Sequence, residues 1–249
     1  MADVTLTYKG NTIAEMSDTG TKTLKTAGKY CEGDISVSYV KPSSGGTSDD
    51  LAIKVIEGEG AITELPSGIT KIRDFAFRGN QGLSLTSLPS TVTSIGNNAF
   101  TNCENLALTS LPNGVTIGNG AFGYCPKLAL TSLPDEVTIG ASAFSNCTNL
   151  ALTSLPDGLT NIANYTFYVC PKLALTSLPS GITNIGMRAF ENCTGLTSIT
   201  FKGTPTVIDS TAFKDCTNLT TINVPWAEGA VANAPWGATN ATINYNYTE

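Results

Sequence analysis

The sequence predicts an α/β solenoid: a right-handed coil with short parallel strands on one face and helical or 3-10 turns on the other, with a small N-terminal β module and a C-terminal cap. The first observation is repetition, because the block AFTNCENLALTSLP at 99–112 returns almost unchanged at 121–134 and 143–156. The second is phase, since phenylalanines recur every 22 or 23 residues, a period typical of solenoids. The third is size: one such unit cannot bury its own apolar face and must stack on its neighbours.

Each repeat has three parts that predict its local structure. The run LALTSLP is of β type and stops at a proline, which cannot donate a hydrogen bond to a strand ladder. A glycine in the following segment, as in SGIT or NGVT, supplies a turn. The segment IGNNAF then carries apolar residues at a spacing that favours a helical or 3-10 turn on the opposite side. About seven such coils span 51–224.

These repeats resemble the BspA-like (Treponema-type) leucine-rich repeats, whose pattern is near LxxIxLPxxLxxIgxxAFxxCxx. The resemblance covers about residues 61–224 and implies a leucine-rich-repeat solenoid. Most copies depart from the pattern at one place, because they read Leu-Ala-Leu-Thr-Ser-Leu with threonine where the family has an apolar residue. A slip of one residue in a strand reverses the face that a side chain takes. The sequence therefore leaves open which of the alanine, threonine and serine columns faces outward.

A cysteine follows the phenylalanine by three residues in six repeats, and asparagine holds that place in the first. A zinc site would need local Cys or His pairs and a nucleophilic thiol would need a base, but the chain has no histidine. Distance allows disulfides between adjacent coils, yet asparagine cannot form one, and leucine-rich repeats interchange Asn and Cys at their ladder position. We therefore predict that these side chains form a structural ladder and bind no metal. They would be buried, would form no disulfides and would act as weak hydrogen-bond donors. The ladder comprises Asn80, Cys103, Cys125, Cys147, Cys170, Cys193 and Cys216.

The composition argues against several functional classes. The net charge is −6 and the 14 lysines and arginines are scattered singly, so we expect no nucleic-acid partner. No run approaches the ~20 apolar residues of a membrane helix, so we expect no membrane insertion. The acids are isolated, histidine is absent and no phosphate-binding glycine loop occurs. We therefore predict no enzyme, no catalytic residues and no cofactor.

Residues 1–42 are predicted to form a small β-rich attachment module. VTLTYKG and DISVSYV alternate in the manner of strands, and SSGGTSDD at 43–50 has the composition of a flexible linker. The segment KTLKTAGKYCEGDISVSYVKP resembles segments of phage and prophage virion proteins, which implies contact with other virion proteins through residues 1–42. The first 18 residues lack the basic and apolar regions of a signal peptide, so we expect no secretory leader.

Residues 225–249 break the period and are predicted to cap the last coil, because an uncapped solenoid end exposes its core. Trp226 and Trp236, each preceded by proline, are the expected plugs, and ATINYNY reads as a closing strand. The alternative is that the two indoles form a platform for a sugar. This tail also resembles the endings of phage-encoded repeat proteins.

Together these features predict a non-enzymatic recognition or adhesion module of a phage or prophage particle. It would be tail- or virion-associated, lie on the virion or outside the cell, and bind a bacterial surface glycan or protein; a homo-oligomer is compatible with this role. One alternative is the BspA-like adhesin that the resemblance implies, on the bacterial surface and binding host or bacterial proteins. The other is a purely structural decoration protein of the virion.

Two sets of side chains are candidates for the binding surface. Paired hydroxyls on the predicted sheet face suit a repetitive polar partner. The alternative is that threonine occurs here only because it favours β-strands that have one solvent-exposed face. This set contains Thr86, Ser87, Thr109, Ser110, Thr131, Ser132, Thr153, Ser154, Thr176 and Ser177. A second set, at variable positions after the phenylalanine, contains Tyr124, Tyr168, Lys214 and Asp215, and drift of an unconstrained loop explains it equally.

Overall fold

The structure, a computed structural model, describes residues 63–65 and 70–248 in full and, before them, the backbone of five strands. Strands β1 (Val4–Tyr8) and β2 (Asn11–Met16) pair antiparallel. Strands β3 (Gly20–Lys25), β4 (Asp34–Val40) and β5 (Ala52–Val55) form a second antiparallel sheet in that order. Strand β5 lies within 51–224, the range predicted for the solenoid, and it pairs with β4, which lies within the predicted N-terminal β module. The predicted linker at 43–50 and Cys31 lie outside the described residues.

The described residues from 70 onward form a parallel-strand solenoid, and we number its repeat units from the sequence as seven coils. Each coil has three sides, which we name from their buried residues: the leucine side (for example 106–112), the isoleucine side (115–117) and the phenylalanine side (119–125). Glycine and asparagine turns separate the sides, and most apolar residues point to one shared core. The coils are coil 1 (61–82), coil 2 (83–105), coil 3 (106–127), coil 4 (128–149), coil 5 (150–172), coil 6 (173–195) and coil 7 (196–218).

The isoleucine side carries one two-residue parallel strand in each coil, and every strand ends at a buried isoleucine. Because one residue of each pair points out and one points in, this side repeats the period-2 pattern of a half-buried sheet. Four strands form one sheet and three form another, with no pairing between β9 and β10 in this fully described region. The strands are β6 (Lys71–Ile72), β7 (Ser94–Ile95), β8 (Thr116–Ile117), β9 (Thr138–Ile139), β10 (Asn161–Ile162), β12 (Asn184–Ile185) and β14 (Val207–Ile208).

The leucine side forms a regular sheet only toward its C-terminal end, where β11 (Ser177–Leu178), β13 (Ser198–Phe201), β15 (Thr221–Asn223) and β16 (Thr242–Asn244) pair in parallel. The run LALTSLP, predicted as a strand, forms no ladder strand in coils 3–5. It buries its first, third and sixth residues, so two successive side chains face water and the alternation that a pleated strand needs is lost. In β13 the alternation holds, and the strand forms.

The phenylalanine side corrects the prediction of helical or 3-10 turns, because no helix occurs in the described residues. In coil 2, Asn98 and Asn102 have φ of 53° and 60°, and residues at the same two places have positive φ in most other coils. Their N–H groups donate to the next coil, as Asn102 N does to Gly123 O at 2.9 Å. A helix needs consecutive right-handed residues whose N–H groups bond within the segment, so this pattern excludes one.

The core is built from columns of identical side chains. Seven phenylalanine rings stack from Phe77 to Phe213 with centroids 5.1–5.7 Å apart and nearly parallel planes. Each offset pair adds about 0.5–1.5 kcal/mol beyond the burial of its area. Leucine and cysteine columns run beside this stack, and almost all their side chains are fully buried. A continuous core therefore requires that the same side chains recur at the same position in every repeat.

Two tryptophans pack on the C-terminal end of this core. Trp226 and Trp236 are 6% and 0% exposed, and their rings lie 6.3 Å apart. Both contact the ring of Phe201, at 5.3 and 6.0 Å. The Trp236 carbonyl accepts a hydrogen bond from Phe213 N at 2.9 Å, where an alanine of the next coil would otherwise stand. The indoles are thus core side chains in this structure and present no open face for a sugar.

Candidate functional site

The leucine side places the predicted paired hydroxyls on the surface, and we name the ten residues of the first candidate set the hydroxyl face. Nine of them are exposed and Ser177 is half-buried. The two leucines before each pair and the one after it point inward and hold the pair outward. The alanine column between the leucines is mostly half-buried, with Ala107 N bonded to Leu85 O at 3.0 Å. The threonine and serine columns, not the alanine column, therefore form the outer surface.

The hydroxyl face is uncharged and extends over coils 2–6. It has no large apolar side chain, and its backbone is fixed by the core beneath it, so its donors and acceptors are held in register. Three exposed carboxylates, of Asp135, Glu136 and Asp157, lie at the turn that follows it in coils 4 and 5. The arrangement can make repeated neutral hydrogen bonds to a partner, and its acidic margin disfavours a strongly acidic one.

The isoleucine side carries a second column of exposed threonines that the sequence analysis missed. Thr116 and Thr138 stand exposed directly before buried isoleucines in β8 and β9. These Thr-Ile pairs are visible in the sequence, but the prediction of a strand was based on the longer LALTSLP run, which lies on the other side. The solenoid therefore has two polar faces, and threonine content alone does not tell them apart.

The second candidate set does not come together as one site. Tyr124, Tyr168 and Lys214 lie on the phenylalanine side of coils 3, 5 and 7, with a whole coil between each pair. Tyr124 is 55% exposed, whereas Tyr168 packs edge-on against Tyr165 with ring centroids 5.7 Å apart. Two tyrosines and a lysine on alternate coils do not define a common pocket.

Lys214 instead belongs to an ion-pair cluster that the sequence analysis did not identify. Its Nζ lies 3.2 Å from Oε1 of Glu191, which is buried, and 3.5 Å from Oδ2 of Asp215. Arg188 Nε lies 3.2 Å from Glu191 Oε2. The hydrogen bond to Glu191 and the negative charges of Glu191 and Asp215 raise the pKa of Lys214. The cluster neutralises a buried carboxylate, which is a structural role.

The six ladder cysteines are buried, and none of these described residues forms a disulfide. Each thiol donates to the carbonyl of the phenylalanine one coil earlier; Cys125 Sγ, for example, lies 3.0 Å from Phe100 O. Burial raises the pKa of Cys103, Cys170 and Cys216 to about 12. A thiol that stays protonated is a poor nucleophile and a poor metal ligand. Asn80, at the equivalent place in coil 1, is half-buried.

The described residues also contain no group of three or more His, Cys, Asp or Glu side chains placed to bind a metal ion. In the same part of the chain, no helix has the length and apolar character required to span a membrane.

Comparison with known proteins identifies the family. The sequence matches the BspA type leucine-rich repeat region, with six copies over residues 61–173 and 115–231. This match covers well over half of the chain, and the chain therefore belongs to the BspA-type leucine-rich repeat family. The prediction of a leucine-rich-repeat solenoid is confirmed at this level. Among curated proteins, none matches the chain.

The solved structures that resemble this chain are bacterial leucine-rich repeat proteins. The leucine-rich repeat protein of T. pallidum has 28% identity and a TM-score of 0.51, over 78% of this chain and 90% of that one. A leucine-rich repeat protein of Bacteroides ovatus has 20% identity and a TM-score of 0.47, over 84% of this chain and 75% of that one. A leucine-rich cell surface protein of Faecalibacterium prausnitzii has 22% identity and a TM-score of 0.47, over 80% of this chain and 71% of that one. No comparison supports the resemblance of the two ends to virion proteins.

Proposed function

We propose that this chain is a non-enzymatic binding module that acts outside the cell and that it recognises a protein surface through the hydroxyl face. Leucine-rich repeat proteins mediate protein–protein interactions, and BspA-type members are cell-surface or extracellular proteins. The observation that carries the proposal is the geometry of one side: two outward hydroxyls per coil, repeated over five coils without a charge. This is a BspA-like adhesin function, with a host or bacterial protein as the partner.

The hydroxyl face suits such a partner because its side chains are short and rest on a rigid core. Little conformational entropy is lost when threonine and serine side chains are ordered in an interface. Five coils supply ten hydroxyls that can donate and accept hydrogen bonds, one of which, Thr109 Oγ1, already donates to Thr86 O at 3.5 Å. Each bond to the partner is worth about 0.5–1.5 kcal/mol, so affinity depends on using many coils at once.

A charge placed on the hydroxyl face tests the proposal, and the chain offers a matched control. The double variant T131E/T153E puts carboxylates on the hydroxyl face in coils 4 and 5. The control T116E/T138E changes the same residue type, at exposed positions on the isoleucine side of coils 3 and 4. Both are measured for binding of the purified chain to whole bacterial cells, to immobilised extracellular-matrix proteins and to cell-wall glycans.

We expect the hydroxyl-face variant to lose at least about tenfold in affinity for a protein partner, since an unpaired interfacial charge costs over ~1.4 kcal/mol. The control keeps the affinity of the unchanged chain. Equal losses in both variants, or none in either, would refute the hydroxyl face as the contact surface. Binding to glycans and to no protein would show that the partner is a glycan and would contradict the proposed protein partner.

The alternative is attachment of the chain to a phage or prophage particle, as a receptor-binding or decoration component. It rests on the resemblance of residues 1–42 and 225–249 to virion proteins. Neighbouring genes for tail, holin and lysin proteins would favour this alternative. A chromosomal setting without them would favour the adhesin.

A further inference from the structure

The chain contains two asparagine–glycine dipeptides, and both lie in coil 3: Asn113-Gly114 and Asn119-Gly120. A glycine that follows asparagine has no side chain to shield its backbone nitrogen, so this nitrogen can attack the side-chain amide of the asparagine. The first dipeptide lies in the turn between the leucine and isoleucine sides, and the second begins the phenylalanine side. Because the two dipeptides have the same chemistry, their surroundings decide which of them reacts.

The Asn119-Gly120 dipeptide is held in place by hydrogen bonds at both residues. Asn119 Oδ1 accepts a hydrogen bond from Ala141 N, and Asn119 N donates one to Asn97 Oδ1, both at 2.8 Å. Gly120 N donates to Ala141 O at 2.8 Å, and Gly120 O accepts from Thr101 Oγ1 at 2.6 Å. Attack of Gly120 N on the side chain of Asn119 would therefore break several hydrogen bonds at once.

The Asn113-Gly114 dipeptide is much less constrained. Both residues are exposed, and the Asn113 side chain makes no hydrogen bond to another described residue. Gly114 N donates to Asp135 O at 3.3 Å, which is longer than most hydrogen bonds of this kind. Gly114 has φ of 66°, and a Cβ at this position would meet nothing within 4 Å, so the turn is open to solvent. A small local opening is enough to bring Gly114 N to the amide carbon of Asn113.

We propose that Asn113 is a site of spontaneous deamidation and that the fold protects Asn119 from the same reaction. Gly114 N attacks Cγ of Asn113 and gives up its proton; the new C–N bond closes a five-membered succinimide ring. The bond from Cγ to Nδ2 breaks, and ammonia leaves with the proton. Water then opens the ring at either carbonyl and leaves aspartate or isoaspartate. The reaction needs water and no oxidant, reductant or enzyme.

The fold accommodates the aspartate product. Coil 4 has Asp135 at the place of Asn113, and the next residue, Glu136, has φ of 59°, close to the 66° of Gly114. Coil 5 has Asp157 at the same place. An exposed carboxylate on this turn is therefore compatible with the packing of the coil beneath it.

Deamidation of Asn113 extends the acidic margin of the hydroxyl face. The margin has three exposed carboxylates in coils 4 and 5, and the reaction adds a fourth in coil 3. Isoaspartate also lengthens the main chain between the leucine and isoleucine sides by one carbon. The reaction itself does not depend on the proposed binding function. If the hydroxyl face binds a partner, the added charge disfavours an acidic one further.

Mass spectrometry of the purified full chain tests the proposal. The protein is kept for several days in warm, mildly alkaline buffer, once folded and once unfolded in guanidinium chloride. Replacement of the side-chain amide by a carboxyl group raises the peptide mass, and fragment ions separate the two sites, which share the tryptic peptide 79–127. In the folded chain Asn113 should convert at least about tenfold faster than Asn119. In the unfolded chain the two rates should become similar, because the hydrogen bonds that protect Asn119 are lost.

The variant N113Q supplies a second readout. A glutamine at this position would have to close a six-membered ring, which forms more slowly, so the acidic species that ion-exchange chromatography detects in the folded chain should nearly disappear. Equal rates at the two sites in the folded chain, or conversion of Asn113 only after unfolding, would overturn the proposal. Acidic species that form at an unaltered rate in N113Q would overturn it too.

Discussion

The thiol of Cys147 donates a hydrogen bond to the carbonyl of Phe122, one coil earlier, with 3.0 Å between Sγ and O. The same bond recurs for all six ladder cysteines at 2.9–3.1 Å. The acceptor is a carbonyl next to the stacked phenylalanine rings, where water does not reach it. Each cysteine thus gives a buried backbone oxygen a donor, and four of the six oxygens also accept a backbone N–H, as Phe100 O does from Cys103 N at 3.1 Å.

The ladder thiols should be unreactive in the folded protein. At about pH 8, without reductant, a thiol reagent should modify none of the six and reach at most Cys31. In concentrated guanidinium chloride, again without reductant, all seven cysteines should react. A lower count after unfolding would reveal disulfides and contradict a reduced ladder.

Stability should fall steeply in alkali, because burial raises the pKa of the ladder thiols, to about 12 for Cys170, from an ordinary value of 9.0. A raised pKa means that the folded state favours the neutral thiol, so this contribution is complete below pH 9 and is lost as the pH rises toward 12. Each thiol changes the free energy of unfolding by about 1.4 kcal/mol per pH unit in that window. Urea denaturation at several pH values measures the slope.

A cysteine-to-alanine variant isolates the contribution of one thiol to the loss of stability in alkali. C147A should lose about 1–3 kcal/mol at neutral pH, because Phe122 O is left without a donor. Its alkaline slope should be smaller than that of the unchanged chain by one thiol. An unchanged slope would assign the alkaline loss to other groups.

The phase of the repeat was enough to predict the core, because phenylalanine, leucine and cysteine recur at one spacing and each column can be buried only if the coils stack. The turns were predicted less well. Apolar spacing favoured a helix at IGNNAF, yet Asn98 and Asn102 adopt positive φ there. Asparagine is enriched in that conformation, so its recurrence two residues after phenylalanine, at Asn102, Asn146 and Asn192, was an available signal.

The outward columns could not be predicted from the sequence because two inward patterns fit the same length of chain. Coil 7 buries Leu196, Ile199 and Phe201, whereas coil 3 buries Leu106, Leu108 and Leu111. Both burial patterns place three apolar side chains in the core, and only the folded structure shows which of the remaining residues are exposed. The pairing of Lys214 with Glu191 was also invisible, since it joins two coils through residues that vary between repeats.

The phenylalanine stack should dominate the stability of each coil. Phe144→Ala removes a fully buried ring that stacks on both Phe122 and Phe167, and should cost about 3–5 kcal/mol. Tyr124→Ala removes an aromatic ring of similar size from the surface and should change stability by less than about 0.5 kcal/mol. Chemical denaturation measures both, and a similar cost for the two would show that the rings do not form the core.

The two tryptophans should respond differently to the same substitution. Trp236 Nε1 donates to Ala232 O at 2.7 Å, whereas Trp226 Nε1 is buried without a partner. Replacement by phenylalanine removes similar ring area at both positions, but Trp236→Phe also loses a hydrogen bond and Trp226→Phe removes an unsatisfied donor. Trp236→Phe should therefore be the more destabilising by about 1 kcal/mol or more in the free energy of unfolding. Equal losses in urea denaturation would mean that Trp226 Nε1 has a partner in solution, such as a buried water, and that the two indoles are equivalent in the packing against Phe201.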